Sequence, residues 1–284
     1  MRRPTALLLA AALAVPLSAC ETSSSGSERR EYAALGDSYA AAPGVGSADS
    51  PAACRRSKDN YPHLLAHDLD LKLTDVSCSG ASTEAVLGEY DALGTTLAPQ
   101  IEAVGEDTDL VTIGLGFNDF GLTIRVFVKC VQLGMADPTG TPCTDADAAA
   151  GANSTRAALA QMTPRLTAVV EAVAKRAPNA QVVLVGYPTI FPEQETCANL
   201  GIARGDLPLV RGIVASLNAS AKAAAEAGGA TYVDTVDATR GHDICAEDPW
   251  IAGIKPTAGK QALYWHPYAE EQRVVADLVA EVVD

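Results

Sequence analysis

Three short segments contain side chains that could carry out nucleophilic chemistry. Ser38 lies in Gly36-Asp37-Ser38, Asn118 lies in Gly116-Phe117-Asn118-Asp119, and His266 lies in Trp265-His266-Pro267 near the end of the chain. A serine hydroxyl becomes an effective nucleophile when a histidine accepts its proton, and an amide can donate to the oxyanion that then forms. Each segment also has a purely structural interpretation, because Asp, Ser and Asn are common helix caps.

The segments that contain Ser38 and Asn118 each follow a predicted β-strand. Helical patterns separate apolar runs along the chain, which predicts a parallel sheet that is covered by helices on both faces. Loops after the strands of such a sheet converge at one edge, so the polar segments are expected to lie together. The predicted strands are residues 31–36, 71–76, 109–115, 181–186 and 230–233, and the predicted helices are 60–69, 97–104, 157–176, 208–227 and 270–282.

Residues 130–153 interrupt this alternation of strands and helices. They contain Pro138-Thr139-Gly140-Thr141-Pro142 and a polar stretch at 145–153. Proline and glycine at this density favour loops. We therefore expect a surface excursion here, held by Cys130 and Cys143.

With Gly80, in Ser77-Cys78-Ser79-Gly80-Ala81-Ser82, the three segments resemble the four blocks of the SGNH branch of the GDSL hydrolases. The order of the blocks carries the resemblance, which spans nearly the whole chain after residue 30. It implies a three-layer α/β/α sandwich with a central, mostly parallel five-stranded sheet of the flavodoxin-like type. It also implies an esterase or lipase without cofactor or metal, with Ser38 as nucleophile and His266 as base. The implied oxyanion hole consists of the backbone N–H groups of Ser38 and Gly80 and the side chain of Asn118.

The residue that orients His266 departs from the family's common pattern. Most relatives place an Asp three residues before the His, where this chain has Leu263. We favour a Ser-His dyad, found in some actinomycete relatives, in which the backbone carbonyl of Leu263 accepts the ring N–H. Without a charged partner, the pKa of His266 should be lower than in a triad. Four acids remain alternative partners: Asp243, Asp248, Glu270 and Glu271.

Rival chemistries have weaker support. A Gly-x-Ser-x-Gly nucleophile turn is absent from the sequence. His63 and His67 are four residues apart, but the stretch between them lacks the Glu of a zinc protease. His242 is a second candidate base, although its neighbour Cys245 suggests a loop that is anchored by a disulfide. With the same site, the chain could instead deacetylate a polysaccharide or cleave thioesters, and a non-catalytic glycan- or lipid-binding protein is the alternative of another class.

The cysteines indicate an exported protein. Six of the seven follow residue 30, and this even number predicts three disulfides, whose pairing the residues alone leave open. The chain most resembles extracellular lipases and esterases of actinomycetes, whose disulfides join cysteines that are neighbours in sequence. That resemblance implies the pairs Cys54–Cys78, Cys130–Cys143 and Cys197–Cys245.

Residues 1–19 are typical of an export signal. Arg2 and Arg3 precede an apolar stretch that is too short to span a bilayer. Leu17-Ser18-Ala19-Cys20 resembles the bacterial lipobox, which predicts lipidation at Cys20, and an ordinary signal peptide with an incidental cysteine is the alternative. Residues 20–30 then form a polar tether and 31–284 the hydrolase domain. We expect a monomer that is anchored to the outer face of the cell membrane, or secreted.

Net charge excludes one class of partner. The chain has 35 acidic and 21 basic residues, a formal net charge of −14. This charge repels the phosphate backbone, so nucleic-acid binding is not expected. The expected ligand is an ester, but its acyl length and natural identity depend on loops that the sequence does not place.

Overall fold

The computed structural model describes Met1 and residues 29–283. Its centre is a five-stranded sheet in which every pairing of neighbouring strands is parallel. The strands of this sheet are β1 (Glu31–Gly36), β2 (Lys72–Asp75), β5 (Thr108–Gly114), β6 (Gln181–Val185) and β7 (Thr231–Val233), and β3 (Tyr90–Ala92) and β4 (Thr95–Leu97) form a separate antiparallel pair. The order β2-β1-β5-β6-β7 is the flavodoxin-like order, so all five predicted strands and the predicted sheet type are confirmed.

Helices connect the strands and flank the sheet. They are α1 (Ser38–Ala41), α2 (Tyr61–Asp68), α3 (Thr83–Leu87), α4 (Val131–Ala136), α5 (Pro142–Ala149), α6 (Thr155–Leu159), α7 (Met162–Arg176), α8 (Leu207–Gly228) and α9 (Ala269–Ala280). A π-helical segment, Ile124–Cys130, leads directly into α4. Single 3-10 turns occur at Ala52–Cys54, Gln100–Ala103, Asp119–Gly121, Gly151–Asn153 and Arg204–Asp206.

The side chains of β1 show how the three layers arise. Successive residues of a strand point to opposite faces. Tyr32 and Ala34 pack in the cluster that α2 and α9 complete, whereas Ala33 and Leu35 pack in the larger cluster that α7 and α8 complete. Both faces of the sheet are thus covered, as an apolar parallel sheet requires. The result is the α/β/α sandwich that the resemblance implied.

The helix predicted at residues 97–104 is wrong. Leu97 is the last residue of β4, and the one helical turn that follows is Gln100–Ala103. Pro99 lies between them. Proline has no N–H to donate and biases the residue before it toward extended backbone, so a longer helix cannot pass through this point.

The surface excursion predicted at 130–153 is confirmed, since most of its residues lie at the surface and the Cys130–Cys143 disulfide holds it, but α4 and α5 give it more helix than a loop. A buried carboxylate from outside the stretch stabilises it. Asp206 accepts the backbone N–H groups of Cys143 at 2.9 Å and Thr144 at 2.8 Å, which lie in the first turn of α5. These amides have no acceptor within their own helix. The distant Asp206 therefore allows a segment rich in helix-breaking residues to pack as helices.

Three disulfides join Cys54 to Cys78, Cys130 to Cys143, and Cys197 to Cys245, the pairs that the resemblance implied. Within residues 29–283, no helix has the length and apolar character that a membrane span needs. The predicted signal peptide and the predicted lipidation site Cys20 lie outside the described residues.

Candidate active site

Ser38 begins α1 directly after β1, at the carboxyl end of the sheet. Asp37 caps this short helix, since its carboxylate accepts the backbone N–H of Tyr39 at 2.8 Å. The backbone N–H of Asp37 donates to the carbonyl of Gly114 at 2.9 Å, which ties the turn to the end of β5. The turn is so tight that a Cβ on Gly36 would lie 2.4 Å from the Cβ of Ala40. Only glycine fits there, and Ser38 is held in a fixed place with 9% of its surface exposed.

Asn118 follows β5, and both ends of its amide have partners. Its Nδ2 donates to the carbonyl of Ala81 at 2.9 Å, and its Oδ1 accepts from Thr123 Oγ1 at 2.8 Å. An acceptor on one side and a hydroxyl donor on the other select one orientation of the amide. The Nδ2 hydrogens therefore face the loop that contains Gly80, the residue before Ala81.

Gly80 lies at an exposed tip of that loop with a φ of +89°. This left-handed backbone favours glycine, and a Cβ here would face open space. The loop is fixed on both sides. Ser79 N–H donates to the carbonyl of Cys54 at 3.0 Å, and Asp119 accepts Thr83 N–H at 3.0 Å at the start of α3. The structure thus places the Gly80 loop beside Asn118, at the sheet edge where the loops after the strands were predicted to converge.

A buried tyrosine connects the Ser38 and Asn118 segments. The hydroxyl of Tyr187 donates to Asp37 Oδ2 at 2.5 Å and accepts the backbone N–H of Phe117 at 2.9 Å. Asn218 in α8 holds the tyrosine backbone by two hydrogen bonds, at 2.7 and 2.9 Å. Burial raises the pKa of Asp37 to about 7, and the hydrogen bond from Tyr187 opposes that increase. We call these two hydrogen bonds of the Tyr187 hydroxyl, to Asp37 and to Phe117, the Tyr187 clamp. The clamp fixes the separation between the turn that contains Ser38 and the turn that contains Asn118.

Sequence reasoning missed both Tyr187 and Thr123. Neither residue lies in one of the four blocks. The position of Tyr187 in the sequence could have indicated its role, because it follows β6 and so lies at the sheet edge where the loops after the strands meet. Thr123 is five residues after Asn118, beyond a 3-10 turn that folds it back onto the amide.

His266 lies in the loop before α9, and this loop is fastened to the α1 region. Leu263 N–H donates to the carbonyl of Pro43 at 2.7 Å, and the Tyr39 hydroxyl donates to the carbonyl of Trp265 at 2.9 Å. The rings of Tyr39 and His266 lie 5.8 Å apart. Tyr39, the residue that follows Ser38, thus contacts the loop that contains His266.

The carbonyl predicted to orient His266 is off by one residue. His266 Nδ1 lies 2.8 Å from the carbonyl oxygen of Tyr264, not that of Leu263. The Leu263 carbonyl accepts the backbone N–H of His266 instead, at 3.2 Å, and so closes a turn. Trp265 lies within this turn at a φ of +60°, and the turn directs the Tyr264 carbonyl toward the ring. The predicted type of partner, a backbone carbonyl, is present at the neighbouring position.

The four acids that were alternative partners are engaged elsewhere, and in the described part of the chain none of them bonds to the His266 ring. Asp248 and Glu270 both bind Lys260, at 2.8 and 3.0 Å. Asp243 accepts the backbone N–H of Cys245 at 2.8 Å, and Glu271 accepts from the Gln272 amide at 2.7 Å.

The environment of His266 favours the neutral ring. Burial lowers the pKa of His266 to about 4; the Tyr264 carbonyl acts in the opposite direction, and the positive charge of Arg55 lowers the pKa further. A carbonyl can only accept, so Nδ1 carries the proton of the neutral ring and Nε2 keeps its lone pair. At neutral pH the ring is able to accept a proton at Nε2.

The other histidines lie away from this arrangement. His63 bonds to its helix cap Asn60 at 2.7 Å, and His67 pairs with Asp68 at 3.1 Å on the surface. His242 bonds to the carbonyl of Asp248 at 2.8 Å and stacks on Trp250. Their roles in the structure are local, which agrees with ranking them behind His266.

The fold and the loops at its edge define an α/β/α hydrolase with a serine-bearing turn after the first strand. The chain belongs to the GDSL-like lipase/acylhydrolase family, whose family model matches residues 34–270. It is a carboxylic ester hydrolase of this family.

The chain is similar to several Streptomyces proteins. The chain is 38% identical over 261 residues to Lipase 2 of Streptomyces coelicolor, covering 89% of this chain and 85% of that protein. Among solved structures, it is similar to the extracellular lipase from Streptomyces rimosus, with a TM-score of 0.70, 28% identity, and 89% of this chain and 99% of that chain covered. It is also similar to phospholipase A1 from Streptomyces albidoflavus NA297, with a TM-score of 0.69, 31% identity, and 89% and 98% covered.

Proposed function

We propose that the protein hydrolyses esters through a Ser38–His266 dyad. The observation that carries the proposal is the hydrogen bond from His266 Nδ1 to the Tyr264 carbonyl, in a loop that is tied to the helix of Ser38. This bond leaves Nε2 as the acceptor for the serine proton. The oxyanion hole in this proposal consists of the backbone N–H groups of Ser38 and Gly80 and the Nδ2 of Asn118.

The reaction follows from these roles. Ser38 Oγ attacks the ester carbonyl while His266 Nε2 takes the hydroxyl proton, and the carbonyl oxygen becomes an anion between the three donors. The tetrahedral intermediate collapses, the C–O bond to the alcohol breaks, and Nε2 returns the proton to the departing alkoxide. Water then attacks the acyl-serine by the same steps and releases the acid. Over one cycle an ester and a water become an acid and an alcohol, Ser38 and His266 return to their starting states, and no cofactor is required.

In the part of the chain that the structure describes, the ring N–H of His266 bonds to a carbonyl and not to a carboxylate, and this affects how the proton is returned to the leaving group. In a triad, a carboxylate stabilises the imidazolium by a full charge. Here the Tyr264 carbonyl fixes the tautomer and the ring orientation but supplies only a dipole. The imidazolium is therefore a stronger acid and returns its proton readily to the leaving alkoxide.

We also propose that the protein is exported and is either anchored to the outer face of the cell membrane through a lipid on Cys20 or secreted, with residues 20–30 as tether and 31–284 as catalytic domain. Three disulfides and the extracellular lipase from Streptomyces rimosus among its relatives support export. Monomeric action fits a site whose proposed groups all come from one chain.

Turnover of p-nitrophenyl butyrate at pH 8 tests the proposal. Ser38→Ala and His266→Gln should each lower kcat by at least about a thousandfold. His67→Gln is the matched control, because it removes a surface imidazole and should leave kcat unchanged. If the purified protein cleaves no carboxylic ester, no thioester and no acetylated xylan, a glycan- or lipid-binding role replaces hydrolysis.

A further inference from the structure

The helix that begins with Ser38 is too short to be stable by itself. α1 has four residues, and a first helical turn fixes several backbone angles for little hydrogen bonding in return. The carbonyl groups at the end of a helix also have no donor within it. Contacts from other parts of the chain must therefore hold α1, and with it Ser38, in place.

Two side-chain amides donate to the carbonyl groups of α1. The carbonyl of Ala40 accepts from Asn60 Nδ2 at 2.9 Å, at the start of α2. The carbonyl of Tyr39 accepts from Gln272 Nε2 at 3.0 Å. Gln272 lies in the first turn of α9, the helix that follows His266. The nucleophile helix is thus bonded directly to the segment that continues from the proposed base.

Gln272 is completely buried, and its partners select one orientation of its amide. Oε1 accepts the backbone N–H of Tyr61 at 2.8 Å, and Nε2 also donates to the carboxyl group of Glu271 at 2.7 Å. Tyr61 is the first residue of α2, so its N–H has no acceptor within that helix. A backbone donor on one side and a backbone acceptor on the other exclude the flipped amide. One side chain of α9 therefore joins the end of α1 to the start of α2.

Tyr39 is held at two points by the segment that contains His266. Its hydroxyl donates to the carbonyl of Trp265 at 2.9 Å, and its backbone carbonyl accepts from Gln272. These two partners lie on either side of His266 in the sequence. Because Tyr39 directly follows Ser38, the two hydrogen bonds restrict where Ser38 can lie relative to the histidine.

We propose that Gln272 is a positioning residue, which holds the helix of Ser38 against the segment of His266 so that the serine hydroxyl stays within hydrogen-bond reach of the ring. This inference rests on the proposed Ser38–His266 dyad. Gln272 does not touch the reacting atoms and acts through Tyr39. Proton transfer depends steeply on the separation of donor and acceptor, and a misplacement of about 1 Å can lower a rate about a hundredfold.

Gln272→Met tests the proposal, because it keeps the length of the side chain and removes its hydrogen bonds. With p-nitrophenyl butyrate at pH 8, kcat should fall about tenfold, the effect of one or two neutral hydrogen bonds. KM should change by less than about twofold, since substrate binding does not depend on the distance between Ser38 and His266.

The same substitution in a His266→Gln background separates positioning from general loosening. With no base left to position, Gln272→Met should lower the residual kcat by less than about twofold, whereas two independent effects would multiply.

Gln181→Met is the matched control. Gln181 Nε2 donates to the carbonyl of Val282 at 2.6 Å and so fastens the residues after α9 to the amino edge of the sheet. This variant loosens the other end of the same helix, and its kcat should equal that of the wild type. Thermal unfolding followed by circular dichroism shows whether each variant is folded. If Gln272→Met is not folded, Tyr39→Phe replaces it in both backgrounds, because it removes only the hydrogen bond to the Trp265 carbonyl and should lower kcat about fivefold.

The outcomes distinguish the inference from the proposed function. If the wild type cleaves no ester, or if His266→Gln keeps full kcat, the proposed dyad fails. If the dyad holds and the folded test variant keeps kcat within about twofold, raises KM instead, or loses as much activity in the His266→Gln background, the inference about Gln272 is overturned. An equal loss of kcat in Gln181→Met would also overturn it, because any loosening of α9 would then be sufficient.

Discussion

Thr123 offers a sharp test of how the proposed oxyanion hole is held. Its hydroxyl lies 2.8 Å from Asn118 Oδ1 and 2.9 Å from the Phe117 carbonyl. That carbonyl also receives the backbone N–H of Thr123 at 3.0 Å, and the single hydroxyl proton can be donated either to it or to the amide oxygen. Thr123→Val keeps the shape of the side chain and removes this donor.

The expected loss of kcat follows from the hydrogen bonds that Asn118 keeps in the variant. In Thr123→Val, Asn118 still donates to the Ala81 carbonyl at 2.9 Å, so its amide loses one of two orienting bonds. One neutral hydrogen bond contributes about 1 kcal/mol, which corresponds to about a fivefold loss of kcat. Asn118→Ala removes the proposed donor itself and should cost about 100-fold or more.

The assay is steady-state hydrolysis of p-nitrophenyl butyrate at pH 8, with kcat and KM determined separately. An oxyanion donor acts mainly in the transition state, so kcat should fall and KM should change little. Thr123→Ser keeps the hydroxyl and should recover most of kcat, and Thr96→Val on exposed β4 controls for the loss of a threonine hydroxyl. Equal losses in Thr123→Ser and Thr123→Val, or an Asn118→Ala variant within about tenfold of wild type, would refute the reasoning.

Four further predictions concern the base, the clamp, the disulfides and the anchor. Since the pKa of His266 is lowered to about 4, the base stays neutral as pH falls from 7 to 5, and the limb of kcat/KM that reports this base should lie near pH 4. A decline centred near pH 7 that persists in Asp37→Asn, which removes the other group that titrates near 7, would indicate a charged partner of the ring. Tyr187→Phe removes the link from Asp37 to Phe117 N–H, which should lower kcat about tenfold, and an unchanged kcat would show that the clamp does not position the site. Replacing Cys197 and Cys245 together by Ser should lower the free energy of unfolding by about 4 kcal/mol, against about 3 kcal/mol for replacing Cys130 and Cys143, because the first pair closes the longer loop. Urea denaturation measures both losses, and a larger loss for Cys130 and Cys143 would contradict the loop argument. Cys20→Ser should release the protein from membrane fractions, and unchanged retention would count against the lipid anchor.

The strands could be predicted because each depends on local composition. β1 occupies 31–36 as expected, since an apolar run closed by a glycine leaves the chain few alternatives. The block residues could be placed for the same reason, because position after a strand determines the sheet edge.

Contacts between distant residues could not be predicted from local patterns. The Tyr187 hydroxyl meets Asp37 across 150 residues of sequence, and Asp206 meets α5 across more than 60. The prediction of the Leu263 carbonyl, where the structure has the Tyr264 carbonyl, failed for another reason. Which carbonyl faces the ring depends on the turn around Trp265 and its positive φ, and residue types alone did not reveal that turn.

The central claim is that Ser38 carries the acyl group during turnover. Intact-protein mass spectrometry after treatment with a p-nitrophenyl alkylphosphonate measures this directly, because the reagent traps a serine nucleophile that has an adjacent base. The account predicts one phosphonyl group on the wild type, mapped by peptide analysis to Ser38, and none on Ser38→Ala. One adduct that persists on Ser38→Ala, or that maps to another serine, would contradict it.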